Sequence, residues 1–352
     1  MAKVRSPGLR IAVDAANFAH DRRGMGRIGR AVLREAASDP GVELTLLADK
    51  RRDLCSLQAE FPRALVDVPA SARRRGRYDA MWYPFNGMRF DAAAPSLVTV
   101  HDVFAFTQPH PERVARWREQ RPIRRVAESA ARIVTGSRWS RSEIVRVLRV
   151  PAERVDVVNP SPDPFWFPAL GDILPAALAG LRFVLVVGVR ERRKNARVAL
   201  EACARALRGP DEVLVVAGEL EPRDRIFARA LALRCGEVSA SDALLRALYR
   251  NASIVLVPSL AEGFGLVPIE AMACGSAVIA SNATALPEST GGCALLLEPR
   301  DVLLWARAIR ELLDDPGRLS ALRAGAAARY AFSDRRESAR KTLAILRTLA
   351  QG

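Results

Sequence analysis

Residues 253–270 read SIVLVPSLAEGFGLVPIE. The opening run is apolar and β-branched, as in a buried strand, and a glycine turn follows. Pro268 suits the first turn of a helix. Strand, glycine turn and helix in that order form part of a parallel β–α unit. This places Glu262 on the loop at the strand's carboxyl end and Glu270 in the first turn of the helix. Gly263 and Gly265 between them let backbone N–H groups approach a ligand closely. Carboxylates accept hydrogen bonds from vicinal diols, so one can hold a sugar and the other a ribose. A plainer reading has Glu270 only complementing the helix dipole.

The same alternation recurs outward in both directions. RIAVD, ELTLLA, DAMWY, SLVTV, ARIVTG and VDVV precede the quoted stretch, as do FVLVV and EVLVVAG, while AVIAS and CALLL follow it. Helical patterns separate most of them, which predicts parallel sheets covered on both faces. The helix after TGSRW is expected to open with a capping box from Ser140 to Glu143. NPSPDPFWFPALGDILP, residues 159–175, carries five prolines and breaks the pattern. The expected fold is therefore α/β, with two doubly wound, Rossmann-like domains. These are residues 1–165 and 181–352, joined by a linker at 166–180, with the final helix free to pack back on the first domain. Ligands of such sheets sit beyond the carboxyl ends of the strands, so the expected site is a cleft between the two domains.

Bulk properties narrow the class. The 352 residues carry 54 basic and 39 acidic side chains, a net charge of +15 that favours polyanions or an anionic membrane. Only Lys3, Lys50, Lys194 and Lys341 are lysines, so an isolated lysine carries more weight than an isolated arginine. Five scattered cysteines with no CxxC pair point to reduced thiols and a cytoplasmic location. No apolar run reaches about 18 residues, and MAKVRSPGLRIAVD has no signal-type apolar region. No D-x-D occurs, so the commonest metal–diphosphate motif is missing and no metal site is expected.

A second loop matches the first in type. VGVRERRKN follows FVLVV and leads into the helix ARVALEACARAL. Gly188 permits a tight turn, and Arg193 and Lys194 fall close to a helix N-terminus, where free N–H groups and cations suit a diphosphate. Arg190 and Arg192 are read as a solvated turn. Near the N-terminus, DAANFAHDRRGMGRIGRAVLREA places Gly24, Gly26 and Gly29 before a helix, loosely like a dinucleotide fingerprint. The acidic ribose-binding residue is not evident, so NAD binding is not inferred. LVTVHDVFAF puts His101 and Asp102 directly after a strand. His101 is read as a polar contact to substrate, although a lone histidine is more often structural. His20 and His110 are read as surface residues. HPERVARWREQRPIRRVAESAARI concentrates arginines from Arg113 to Arg125 beside Val114 and Trp117, and Pro122 interrupts it. It fits a membrane-surface helix or a solvated face equally.

At EGFGLVPIEAMACGSAVIASNATALPE the sequence resembles glycosyltransferase family 4, the retaining GT-B enzymes, and its bacterial mannosyltransferase-like members in particular. IAVDAANFAHDRRGMGRIGRAVL, VTVHDVFAFTQPHPE, TGSRWSRSEIVRVLRVPAERVDVV and VGVRERRKN are similar to family segments in the expected order. The resemblance implies roles residue by residue. Glu270 corresponds to the glutamate that binds the donor's ribose hydroxyls, and Glu262 to the one facing the transferred sugar. Arg193 and Lys194 correspond to the pair that neutralises the diphosphate, and Phe264, Gly265 and Leu266 to the backbone touching donor sugar and phosphate. His101 corresponds to a histidine at the sugar, and Gly24 and Gly26 to the loop near diphosphate and acceptor. The chain departs from the family in two places: NPSPD stands where PNGVD is usual, and CGEVSASDALL lacks the usual strand-like run.

The resulting expectation is a metal-independent retaining transfer of a hexose, mannose-like, from a GDP- or UDP-linked sugar to a glycan or lipid-linked acceptor. The donor is a substrate, and no cofactor is expected. The site is expected to lie in the cytoplasm, with peripheral contact to the inner face of an anionic membrane. The alternatives are a GT-B nucleotide-sugar-binding protein without turnover, an epimerase or a phosphorylase. A nucleic-acid binder rests on charge alone; with 6% aromatic residues and no recognised module, nucleic acid is not expected as a partner.

Overall fold

The computed structural model describes residues 8–18, 20–21, 24–68, 77–90, 94–167, 172–331, 334 and 336–351. Two compact units divide the chain, residues 1–161 with 335–352 and residues 162–334.

The first unit holds seven strands: β1 (Leu9–Asp14), β2 (Val42–Leu47), β3 (Leu65–Asp67), β4 (Ala80–Tyr83), β5 (Ser96–Thr99), β6 (Arg132–Thr135) and β7 (Val155–Val157). All neighbours pair in parallel, in the order β3-β2-β1-β4-β5-β6-β7. The second unit holds β8 (Arg182–Val187), β9 (Glu212–Ala217), β10 (Cys235–Val238), β11 (Ile254–Val257), β12 (Val278–Ser281) and β13 (Leu295–Leu297). These are also parallel, in the order β10-β9-β8-β11-β12-β13. Central strands β4, β5, β9, β11 and β12 are buried along their whole length, because helices cover both faces of each sheet. In each unit the sheet reverses direction of growth beside its first strand, between β1 and β4 and between β8 and β11. The carboxyl ends at such a reversal are where open α/β sheets place their ligands.

Several expectations are corrected. The stretch at CGEVSASDALL does contain a strand, β10, whose Glu237 and Gly236 hide it from an apolar-run reading; backbone pairing to β9 defines it. Edge strand β3 is one residue shorter still and is half exposed at Leu65. The helix Arg138–Leu148 opens three residues before the expected box, with Ser137 as N-cap accepting from the Ser140 N–H at 3.0 Å. The helix Arg113–Ser129 runs through Pro122, whose carbonyl accepts from the Met88 N–H at 3.0 Å while Gly87, at φ +123°, lies against it.

The division also falls earlier than the expected linker at 166–180, of which residues 168–171 lie outside the described residues. Trp166 is fully buried in the second unit against Tyr249, and its carbonyl accepts from Cys274 Sγ at 2.9 Å. Asp172 is held there by Arg246 and Arg250 at 2.8 and 3.0 Å. At the other end, the helix Glu337–Ala350 belongs to the first unit. Its Ala339, Leu343 and Leu346, spaced along one face, enter that unit's core.

Candidate functional site

In the second unit the loops after β8 and β11 lie side by side at the sheet's reversal point, and a small set of bonds joins them. The Leu260 N–H donates to the Arg193 carbonyl at 2.7 Å. Asn195, in the left-handed region at φ +57°, donates its amide to the Pro258 and Pro299 carbonyls at 3.0 and 2.7 Å. Asn tolerates this conformation better than most residues, and here it stands at the N-cap position of the helix Ala196–Ala206 with its side chain spent on tying the loops rather than on capping.

The joined loops converge on one carboxylate. Glu262, 7% exposed, accepts from Lys194 Nζ at 2.7 Å and Ser259 Oγ at 2.7 Å on Oε1, and from Arg193 Nη1 at 2.8 Å on Oε2. Burial by itself would raise the Glu262 carboxyl, but the Lys194 and Arg193 charges outweigh it and hold the group below the usual carboxylate range. Burial likewise opposes the Arg193 charge, and Glu262 and Glu191 together overcome it. Glu191 contacts Arg193 Nε at 2.7 Å. The result is a nearly charge-balanced cluster of two cations and two carboxylates.

The glycine turn beyond Glu262 is closely fitted. Gly265 has φ +99°, and a Cβ there would stand 2.8 Å from Leu286 Cδ2. Phe264 and Leu266 turn side chains toward the unit's core, so backbone is what this turn offers a ligand. Gly188 follows β8 at φ +66°, its N–H donating to the Ala217 carbonyl at 3.1 Å, with open space where a Cβ would be. The helix Leu266–Ala273 begins two residues before Pro268, capped by Gly265. Glu270 therefore sits in its second turn, not its first, and the helix dipole accounts for it poorly. It is 6% exposed, with Tyr249 Oη donating from 3.4 Å.

His101, Gly24 and Gly26 lie in the first unit; Gly24 and Gly26 follow β1 at its reversal point, and His101 follows β5, the neighbour of β4. His101 is partly buried, with Nε2–H donating to the Pro84 carbonyl at 3.0 Å and its N–H to Asn86 Oδ1 at 2.6 Å. Burial pushes its imidazole down despite the Pro84 carbonyl and the Asp102 and Asp21 carboxylates, so the ring is neutral near pH 7 and Nδ1 is its acceptor. A cavity of about 390 Å³ is lined by Asn17, Asp21, Met25, Arg89 and Asn86, the residue that accepts from the His101 N–H, among others. Arg89 reaches Asp14, at the end of β1, at 2.9 Å through both Nε and Nη2. Gly24 opens the helix Gly24–Ser38 at φ +40°, while at Gly26 a Cβ would lie 2.0 Å from the Asp21 carbonyl oxygen. Packing thus explains Gly26 without a ligand. Arg30, almost fully buried, ties the same loop by donating to the Asp21 and Phe18 carbonyls.

Sequence reading missed Asn195, Ser259, Thr284, Asn86 and the Asp14–Arg89 pair. Asn195 directly before a helix pattern was readable as an N-cap position. Ser259 lies three residues before Glu262 in the same loop, and the others depend on loops distant in sequence.

Two parallel doubly wound units make up the GT-B fold. Among solved structures, HepE from Anabaena in complex with UDP and glucose has a TM-score of 0.74, with 16% identity over 98% of this chain and 100% of that one. At that identity the likeness concerns the fold. Residues 177–329 match the family described as glycosyl transferases group 1. O-antigen chain mannosyltransferase B of Escherichia coli is 33% identical over 257 residues, 68% of this chain and 66% of that protein. D-inositol 3-phosphate glycosyltransferase 1 of Catenulispora acidiphila is 34% identical over 249 residues, 64% of this chain and 59% of that protein. The matched stretch thus spans less than two thirds of either relative.

Proposed function

We propose that the protein is a retaining hexosyltransferase. It moves a mannose-like hexose from a GDP- or UDP-linked donor to a glycan or lipid-linked acceptor, without a metal. The observation that carries this reading is the Glu262 carboxylate clasped by Lys194 and Arg193 at the reversal point of the second sheet. The name of the Escherichia coli relative supports mannose as the sugar.

In this reading the acceptor oxygen bonds to the anomeric carbon as the bond to the diphosphate breaks. The acceptor's proton passes to a phosphate oxygen on the same face. Lys194 and Arg193 stabilise charge growing on the leaving diphosphate, the place where preorganised charge lowers a barrier most. Glu262, already accepting from three donors and held anionic, is a weak base and a poor nucleophile. That favours a role in holding sugar hydroxyls. Glu270 holds the ribose diol.

The acceptor side rests on the helix Arg113–Ser129. Trp117 and Val114 are 57% and 54% exposed on it, beside Arg113, Arg116, Arg121 and Arg124. Each such cation near an anionic surface contributes about 1 kcal/mol, which favours reversible contact with the cytoplasmic face of a membrane. No helix among the described residues is long and apolar enough to cross one.

A thermal-shift screen against GDP, UDP, ADP and dTDP sugars, with and without EDTA, tests the donor. A bound donor at 100 times its Kd adds about 2.7 kcal/mol of stability. Stabilisation that vanishes with EDTA refutes metal independence, and none with any donor refutes the reading.

A further inference from the structure

Beside Glu262 stands a residue that neither the catalytic assignment nor the fold explains. Thr284 lies between β12 and the short helix Leu286–Thr290, with φ +51°. Among the described residues it is the one β-branched side chain in the left-handed region. Such a residue is strained there, and the strain persists only where surrounding contacts over-determine it. Glycine or asparagine would relax it.

The contact that over-determines it is specific. The Glu262 N–H donates to Thr284 Oγ1 at 2.9 Å, and the same hydroxyl donates to the Glu262 carbonyl at 3.1 Å. One hydroxyl thus satisfies both backbone groups of the residue whose side chain meets Lys194, Arg193 and Ser259. Neither glycine nor valine can do so. The same two loops also approach closely at Gly265, where an added Cβ would stand 2.8 Å from Leu286 Cδ2 and 3.3 Å from Ser289 Oγ.

We infer that Thr284 is a positioning residue that latches the Glu262 backbone, so that the carboxylate meets the donor sugar between the two cations. The inference rests on the donor reading above for its ligand, and on the hydrogen-bond geometry alone for the latch.

Three variants separate the hydroxyl from the strain: Thr284→Ser keeps the hydroxyl, Thr284→Val keeps the branched shape, and Thr284→Gly relieves the backbone. Amide hydrogen exchange at Glu262 reads the latch directly. Protection should fall at least about tenfold in Thr284→Val and Thr284→Gly and be retained in Thr284→Ser. Calorimetric titration with GDP-mannose and UDP-glucose should show about tenfold weaker binding in the first two, of whichever donor the wild type takes, and recovery in Thr284→Ser. GDP or UDP alone should bind all forms alike. Thr284→Gly should melt no lower than Thr284→Val, so that lost affinity cannot be assigned to lost stability. Unchanged Glu262 protection in the valine and glycine variants overturns the latch. Lost protection with wild-type donor affinity overturns its role in recognition. Should the wild type bind neither sugar nucleotide, the donor reading fails while the exchange data still decide whether Thr284 holds Glu262.

Discussion

Replacing Glu262 by glutamine removes one charge and keeps the side chain's size, which isolates what the carboxylate does for the cations on it. Arg193 retains Glu191 at 2.7 Å, whereas Lys194, with its side chain 16% exposed, pairs among the described residues with Glu262. Most of the cost therefore falls on Lys194. Removing one partner of a fully buried pair costs about 3–5 kcal/mol, and an exposed pair is worth about 0–1 kcal/mol. This pair is mostly buried, and losing the carboxylate also relieves its own desolvation, so the expected cost is about 2 kcal/mol. For a unit of about 150–250 residues that lowers Tm by about 4–8 °C. Calorimetry at pH 7 on Glu262→Gln, Lys194→Met and the double variant reads it, with a coupling energy of about 1–2 kcal/mol expected. The sign of the pH dependence is also fixed. The folded carboxyl lies below its usual range, so its contribution is fully present above about pH 4.3 and is lost as pH falls through the folded value. The gap between wild type and Glu262→Gln should close on the acid side. Additive single variants, or a gap that widens as pH falls, would refute the account of the cluster.

Three further outcomes are expected. Glu270→Ala should weaken binding of the stabilising donor by about tenfold or more while the fold survives, as measured by titration calorimetry; wild-type affinity would remove Glu270 from the ribose contact. Gly26→Ala forces a methyl against the Asp21 carbonyl, so the melting of the first unit should fall by several degrees, corresponding to about 1–3 kcal/mol, and an unchanged Tm would show that the loop gives way freely. Replacing Arg116, Arg118, Arg121 and Arg124 together by glutamine should reduce co-sedimentation with anionic vesicles and leave donor binding intact; equal recovery of both proteins would point to a soluble acceptor.

The fold was largely legible because buried parallel strands write themselves as continuous apolar runs. FVLVV, EVLVVAG, SIVLV and AVIAS became β8, β9, β11 and β12. Edge strands do not have to be apolar, so β3 and β10 were hidden, and helix starts shifted wherever a cap such as Ser137 or Gly265 took over. The loops flagged for chemistry, 188–195 and 258–265, lie together because each follows a strand at the reversal point between β8 and β11, a placement the strand order decides. Residue type and local spacing were enough to mark Lys194, Arg193, Glu262 and Glu270 as candidates. Only the tertiary structure decided that Lys194 and Arg193 share one carboxylate, that Glu270 is buried in a second turn, and that Gly26 answers to packing. The same holds for Thr284, 22 residues beyond Glu262, whose hydroxyl closes on that residue's backbone. Local spacing reports a strand or a turn because its forces act within a few residues. A hydrogen bond between two loops depends on where the sheet carries them, and no single stretch of sequence contains it.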